Sequence, residues 1–396
     1  GLNGKIRGVG NCLPIVLEAR KQGIHKFFAA SEDENSLRGI EDIEVVFMDS
    51  LQDVLDYFHG TYHQKSCRSA TTYQKEESEE DFSDIIGQQH LKRAMEIAVT
   101  GRHHLLIIGS PGSGKTMAAR RIPTILPQLS KEEKMEVQAI YDATGIPRYL
   151  EDDTRPFRQP HPMIPKAAFL GGGKTPTAGE ITLAHHGILF LDEFMEFKTE
   201  CIEALRQPLE DGTIDITRNG IYHKFPADFQ LIATMNPCPC GNYGSKDNTC
   251  RCTPSQIQKY LNKLSGPLMD RIDMHIEVDN ITYDELSDKS EGEHSADIKK
   301  RVDFARKIQH ERFKNAHNFC NAKMNVKQTK EFCKLDSDGE QLLKMAFENL
   351  KLSARAHDRI LRVARTIADL DGKKDIDVMH LAEAIGYRNL DRKYWV

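Results

Sequence analysis

Four consecutive apolar residues, Leu105-Leu106-Ile107-Ile108, run without a polar break into Gly109-Ser110-Pro111-Gly112-Ser113-Gly114-Lys115-Thr116. An uninterrupted apolar run of this length marks a parallel strand covered on both faces. Joined to the pattern G-x-x-x-x-G-K-[ST], it predicts a strand, a tight loop and a helix, with backbone N–H groups turned inward around phosphates. In that arrangement Gly109, Ser110, Pro111, Gly112, Ser113 and Gly114 wrap the β-phosphate. Lys115 reaches the β- and γ-phosphates, and Thr116 offers its hydroxyl to Mg2+. The expected fold class is therefore α/β around a parallel sheet, with ATP and Mg2+ as cofactors.

A second apolar run, Ile188 to Leu191, ends in Asp192-Glu193. Adjacent residues on a strand point to opposite sides, so the two carboxylates take different tasks. Asp192 is placed to orient the Mg2+ water shell, and Glu193 to accept a proton from the attacking water. A third run, Phe229 to Met235, ends at Asn236, whose amide is suited to hold that water. The stretch Pro267 to Asp273 carries Arg271, expected to face outward and to stabilise charge developing on a neighbouring subunit's nucleotide. Ser353 reads as the N-cap of a helix that carries Arg355, expected to close onto the γ-phosphate. Arg359 and Arg362, on nearby turns, are the alternatives.

Nine cysteines are an odd number, and Cys238, Cys240, Cys250 and Cys252 fall within fifteen positions. Clustering of this kind argues against a disulfide framework and for a local metal site. Four thiolates from two C-x-C pairs make a closed tetrahedral shell for a structural Zn2+, with iron–sulfur ligation as the alternative.

A chain of 396 residues holds two or three domains. Its 39% hydrophobic and 29% charged residues are the proportions of a globular chain, without the apolar depletion of a disordered one. No apolar run approaches the roughly 18 residues of a membrane span, so a cytoplasmic protein with no membrane partner is expected. The net charge of −5 does not advertise nucleic-acid binding, although a ring lines a narrow channel with cations while its outside stays acidic. The stretch between the two nucleotide motifs exceeds one helix and a strand, and Pro160 to Ala168 with Gly171 to Lys174 reads as an inserted loop or hairpin. Thr213 to Arg218 and Ile221 to Phe225 alternate about an Asn219-Gly220 turn, a strong hairpin signal. Lys174, Arg218 and Lys224 are the basic residues these hairpins offer to DNA phosphates.

Residues 82 to 396 resemble the magnesium-chelatase-like AAA+ family, which includes bacterial competence proteins. The likeness is carried by RPFRQPHPMIPKAAFLGGG, GEITLAHHGILFLDE, EALRQPLEDGTIDITR, FPADFQLIATMNPCPCG, CRC with TPSQIQKY, LSGPLMDRID and LSARAHDRILRVARTIADL. The resemblance implies an AAA+ P-loop ATPase core over 82–281, a linker over 282–297 and an all-helical lid domain over 298–396. It also implies ATPase roles for Lys115, Thr116, Asp192, Glu193, Asn236, Arg271 and Arg355. A homohexameric ring follows from it, acting on single-stranded and branched DNA and promoting branch migration in natural transformation and homologous recombination, with recombination proteins as further partners. The hairpins that carry Arg218 and Lys224 would then lie toward the DNA channel. A magnesium-chelatase-type motor subunit and an AAA+ protein-remodelling factor are the alternatives.

Residues 1–60, ahead of a polar linker over 61–81, resemble the C-terminal half of a Lon-protease-like α+β domain through GLNGKIRGVGNCLPIVLEARKQGI. They are expected to be the closing part of such a domain. The protease's lysine-bearing GG-x-KEK segment is replaced by Gly10-Asn11-Cys12-Leu13-Pro14-Ile15, so a Ser–Lys dyad is not assembled and a structural or docking role is expected.

Overall fold

The computed structural model describes residues 3–37, 40, 43–63, 80–146, 148, 152–173, 176–218, 220–244, 249–281, 292–314, 320–350, 352–390 and 394. Two units divide the chain, one of Gly1–Glu77 with Gln128–Thr154 and the other of Ser78–Pro127 with Arg155–Val396.

In the first unit the helix Cys12–Lys21 leads to strand β1 (Lys26–Ala30), and β2 (Glu44–Met48) pairs with it in parallel, Lys26 opposite Glu44. The helix Leu51–Phe58 follows, started by a reciprocal cap between Ser50 and Asp53. Helix Lys131–Thr144 belongs to this unit as well, capped in the same way by Ser130 and Glu133. Its Asp142 carboxylate accepts the Leu13 N–H at 3.2 Å, and Ala139 packs on the cluster of Cys12, Leu13 and Val16. Segment 128–154 was expected inside the ATPase domain, and its grouping with the N-terminal residues follows from this shared core. Where the chain leaves the second unit and re-enters it, Arg155 Nε donates to the Pro127 carbonyl at 2.9 Å.

The second unit is built on five parallel strands: β3 (Leu105–Gly109), β4 (Phe157–Arg158), β7 (Ile188–Leu191), β10 (Gln230–Met235) and β11 (Met274–Val278). Their order across the sheet is β11-β3-β10-β7-β4. Two ribbons stand outside it, β5 (Gly171–Gly172) with β6 (Thr177–Ala178) and β8 (Thr213–Arg218) with β9 (Ile221–Pro226), both antiparallel. Side-chain alternation splits β3 between two cores. Leu105 and Ile107 join one cluster, and Leu106 and Ile108 join the other. Both faces of the sheet are thus covered, which accounts for strands that read as unbroken apolar runs.

The helical C-terminal part shares the first of these cores. Val302, Ala305, Ile360, Val363, Ala364 and Ile367 lie in one continuous cluster with Leu105, Ile107, Ile232 and Ile276. Its main helices are Ser295–Arg312, Ser337–Leu350, Ala354–Leu370 and Val378–Gly386. Polar contacts tie them to the sheet's entry side: Gln309 Nε2 donates to the Thr100 carbonyl at 3.1 Å, and His103 Nε2 lies 2.8 Å from Thr366 Oγ1. No helix among the described residues is long and apolar enough to cross a membrane.

Candidate nucleotide site and metal centre

β3 delivers the chain to the loop 109–114, and helix Lys115–Arg121 leaves it. Gly112 and Gly114 take φ values of 84° and 79°, a region in which a side chain strains the backbone. Lys115 is buried, and its Nζ donates to the carbonyls of Gly109 at 2.7 Å and Ser110 at 2.8 Å. Burial pulls its pKa down to about 8, against the opposing pull of Asp192 and Glu193. Ser113 Oγ donates back to the Ser110 carbonyl at 2.9 Å, and Gln88 Nε2 holds the Ser113 carbonyl at 2.7 Å.

The two carboxylates follow the end of β7 in a turn rather than on the strand itself, and the left-handed backbone at Glu193 sets them apart. Asp192 Oδ1 accepts from Thr116 Oγ1 at 2.9 Å and from Thr234 Oγ1 at 2.6 Å. Glu193 is exposed, takes a left-handed φ of 52°, and donates its N–H to Thr234 Oγ1 at 3.1 Å. Thr234 on β10 therefore links both acidic residues to the middle of the sheet. Sequence reading does not single it out; its signal is a lone hydroxyl near the end of a strand whose only other polar residue is Gln230. Asn236 follows the last residue of β10, Met235, which pairs with Ile108 and so sets Asn236 level with Gly109. Lys115, Thr116, Asp192, Glu193 and Asn236 thus gather at the C-terminal edge of adjacent strands, where α/β sheets place their ligands.

Arg271 and Arg355 are not brought there. Arg271 is half-buried, with Nη2 2.7 Å from Glu210 and Nη1 2.6 Å from the Pro267 carbonyl, so it does not stand free toward the outside as expected. Ser353 is the N-cap of helix Ala354–Leu370, accepting the Ala356 N–H at 3.2 Å, and its hydroxyl reaches Asp270 at 3.2 Å. Arg359 binds the Arg271 carbonyl at 2.9 Å and the Asp273 carboxylate. Asp273 precedes β11, whose other end, Val278, lies opposite Gly109. Four residue steps separate Met274 and Val278, about 13 Å. Within one chain, then, the helix that carries exposed Arg355 starts at Asp270 and Asp273, which hold Ser353 and Arg359, at the end of β11 away from Gly109. The two alternative arginines are engaged elsewhere, Arg359 as above and Arg362 on the Ala322 carbonyl at 3.0 Å.

Past Asn236 the four cysteines converge. Cys238 Sγ lies 3.4 Å from Cys240 and 3.7 Å from Cys250, Cys240 and Cys250 are 3.6 Å apart, and all four sulfurs lie within 4.8 Å of one another. A tetrahedron with metal–sulfur bonds of about 2.3 Å has edges of about 3.8 Å. The donor set fits one tetrahedral ion and is too close to enclose a cluster of several irons. Backbone N–H groups of Arg251 and Asn242 hold Cys240 down at about 6, while burial pushes Cys252 up to about 12. Among the described residues the other cysteines, Cys12, Cys201, Cys320 and Cys333, are buried and unpaired.

Thr213–Arg218 and Ile221–Pro226 form the expected hairpin, with Arg218 opposite Ile221 and Asp215 opposite Lys224. Period-two alternation puts Arg218 on the face of Ile214 and Ile216, and Lys224 on the other with exposed Tyr222. The two cations therefore do not share a face. Lys174 lies outside the described residues, as do 64–79 and 282–291 of the two expected linkers.

A parallel sheet in this order, a phosphate loop on β3, two carboxylates at the tip of β7 and a helical C-terminal part define an AAA+ P-loop ATPase. The magnesium chelatase subunit ChlI family matches residues 81–286, and its C-terminal family matches 292–388. Competence protein ComM of Haemophilus influenzae is 41% identical over 400 residues, covering 99% of this chain and 77% of that protein. YifB of Escherichia coli is 41% identical over 393 residues, covering 99% and 76%. The magnesium-chelatase 38 kDa subunit of Rhodobacter capsulatus is 25% identical over 175 residues, covering 39% and 50%. The chain belongs to the ComM/YifB family of magnesium-chelatase-like AAA+ ATPases.

Proposed function

We propose that this chain is the subunit of a hexameric DNA motor that hydrolyses ATP to move single-stranded or branched DNA, promoting branch migration during uptake and recombination of DNA. The observation that carries this reading is 41% identity to a competence protein along 99% of the chain. Lys115 holds the β- and γ-phosphates, Thr116 and Asp192 hold Mg2+, Glu193 takes the proton of the attacking water and Asn236 orients that water. Arg271, and Arg355 in the first turn of helix Ala354–Leu370, reach a neighbouring subunit's γ-phosphate, Arg271 exchanging Glu210 for it. Lys174, Arg218 and Lys224 contact DNA phosphates. Cys238, Cys240, Cys250 and Cys252 hold a structural Zn2+, which closes a short polar loop and takes no part in the chemistry. Residues 1–60 dock or stiffen the assembly, and the helical 298–396 segment transmits nucleotide state between subunits.

Strand displacement or branch migration on forked and four-way DNA tests the motor. ATP-dependent product is expected from the full chain and none from Lys115→Ala; no product on either substrate overturns the reading. A chelatase motor would instead hydrolyse ATP without response to DNA.

Lys115 adds a pH signature. Only its protonated form attracts phosphate, and its pKa near 8 means that nucleotide binding above that pH requires proton uptake. Affinity for Mg-ATP is expected to hold up to about pH 8 and then to fall by up to tenfold per pH unit, as nucleotide titrations between pH 7 and 9.5 would show. A flat profile would mean that Lys115 stays charged throughout.

A further inference from the structure

β10 lies directly beside β3, so the segment leaving β10 emerges next to the phosphate loop. It passes through buried Cys238 to Gly241, whose N–H closes a turn on the Cys238 carbonyl at 2.9 Å. Gly241 has a φ of 81°, and a Cβ placed on it would stand 2.4 Å from Pro111 Cδ and 2.6 Å from Cγ. Its backbone is thus pressed against the rigid ring of the third residue of the phosphate loop. On its other sides that loop is held at Ser113 by Gln88 and at Ser110 by Asn280, whose Oδ1 is 3.1 Å from Ser110 Oγ. The cysteine loop is anchored in turn, Tyr243 packing edge-on against Tyr394 at 6.3 Å and the Tyr394 hydroxyl donating to Glu277 of β11 at 2.7 Å.

We infer that the four-cysteine centre is a metal-dependent brace of the nucleotide site: an ion clipped by Cys238, Cys240, Cys250 and Cys252 fixes Gly241 against Pro111 and so holds the phosphate loop in its binding shape. The inference rests on the reading of 109–116 as the nucleotide loop and of the cysteines as metal ligands. Gly241 directly follows a ligand, so its position is set by where Cys240 is held. Short polar segments supply little apolar burial, so an ion held by the four converging sulfurs supplies the constraint that the loop's own packing lacks. Metal content therefore controls nucleotide affinity in a centre that never touches the nucleotide, leaving the proton transfer at Glu193 untouched.

A cycle of wild type, Gly241→Ala, Pro111→Ala and the double variant, read by titration with a fluorescent ATP analogue in Mg2+ with zinc content measured on each protein, decides the matter. Wild type is expected to carry one zinc per chain. Gly241→Ala should keep its zinc and bind nucleotide at least tenfold more weakly, because the new methyl displaces Pro111. Pro111→Ala added to it should restore most of the loss. The backbone strain of an alanine at that φ is the same in the single and the double variant, so recovery reports the contact itself. Chelation of the reduced wild type, with circular dichroism to confirm the fold, should weaken binding by a similar factor, and added Zn2+ should reverse it. Should chelation unfold the protein, Cys252→Ser, which removes one ligand at the end of the loop away from Gly241, takes its place and should weaken nucleotide binding by a similar factor. Wild-type affinity in Gly241→Ala, a double variant as weak as the single one, or undiminished affinity in folded zinc-free protein would each overturn the brace. A wild type that holds zinc and binds no nucleotide overturns instead the reading of the phosphate loop, and one that binds nucleotide without zinc overturns the metal centre.

Discussion

Glu193→Gln is expected to bind Mg-ATP as tightly as the parent chain and to turn it over at least a hundredfold more slowly. The substitution keeps the size of the side chain and removes only its capacity to take a proton, a contribution of about 10²–10⁴ in rate for a positioned general base. The structure places the two carboxylates in different settings. Asp192 is engaged by Thr116 and Thr234, whereas Glu193 presents an exposed carboxylate from a backbone held at φ 52°. A left-handed conformation is strained for glutamate and persists where the surroundings impose it, here through the Thr234 hydroxyl that accepts the Glu193 N–H. Asp192→Asn serves as the contrast, and should weaken Mg2+ dependence and nucleotide binding together. Phosphate release paired with nucleotide titration distinguishes the two. Parent-like turnover in Glu193→Gln would leave the attacking water without its assigned base.

Asp273→Ala should cost about 3–5 kcal/mol of stability, the range for removing one partner of a buried ion pair. Asp273 is buried, receives Arg359 from helix Ala354–Leu370, accepts the His104 N–H at 2.8 Å and lies 3.9 Å from His103. Burial by itself would raise its pKa, but the Arg359 guanidinium and the two histidines outweigh that and hold it far below the usual carboxylate range. Burial also drives the two imidazoles down, His103 to about 4 and His104 to about 3. The signs agree. Each group is less protonated in the folded chain than in the unfolded one, so stability is full above pH 6.5 and falls on acidification. The histidines act first, between about 6.5 and 4, and Asp273 follows below about 4. Urea melts at pH 7.5 and 5.5 should show the loss in wild type. Asp273→Asn should fall between wild type and Asp273→Ala at pH 7.5, since it keeps a hydrogen-bond acceptor and loses the charge. Equal stability of all three proteins would mean that Arg359 finds another partner.

Much of this architecture is visible in one dimension. β3 and β7 are continuous apolar runs and β10 is largely one because both faces of the sheet are covered, and the helix around Ile360 announces itself by period and by Ser353. The hairpin at 213–226 follows from alternation about Asn219-Gly220. Less visible was the neighbourhood of Arg355, because helical periodicity reports which face is buried and not against what. The partner is an aspartate 82 positions earlier, tied to Arg359 one turn along from Arg355. Thr234 escaped for a related reason: a single hydroxyl in a buried strand carries no pattern, and its meaning comes only from Asp192 on the next strand.

Local chemistry, then, was settled by residue type and short spacing: a loop that turns backbone N–H groups inward, two carboxylates at a strand tip, four thiols in fifteen positions. Such features act over a few bonds, and the chain carries them wherever it goes. Which strand lies beside which was decided only in three dimensions. Strand order brings β10 against β3, and with it the cysteine loop against Pro111; the same order sends Asp273 and the Arg355 helix to the opposite edge. Side-chain burial on both faces of a parallel sheet selects that order, and burial is a property of the packed whole rather than of any one segment.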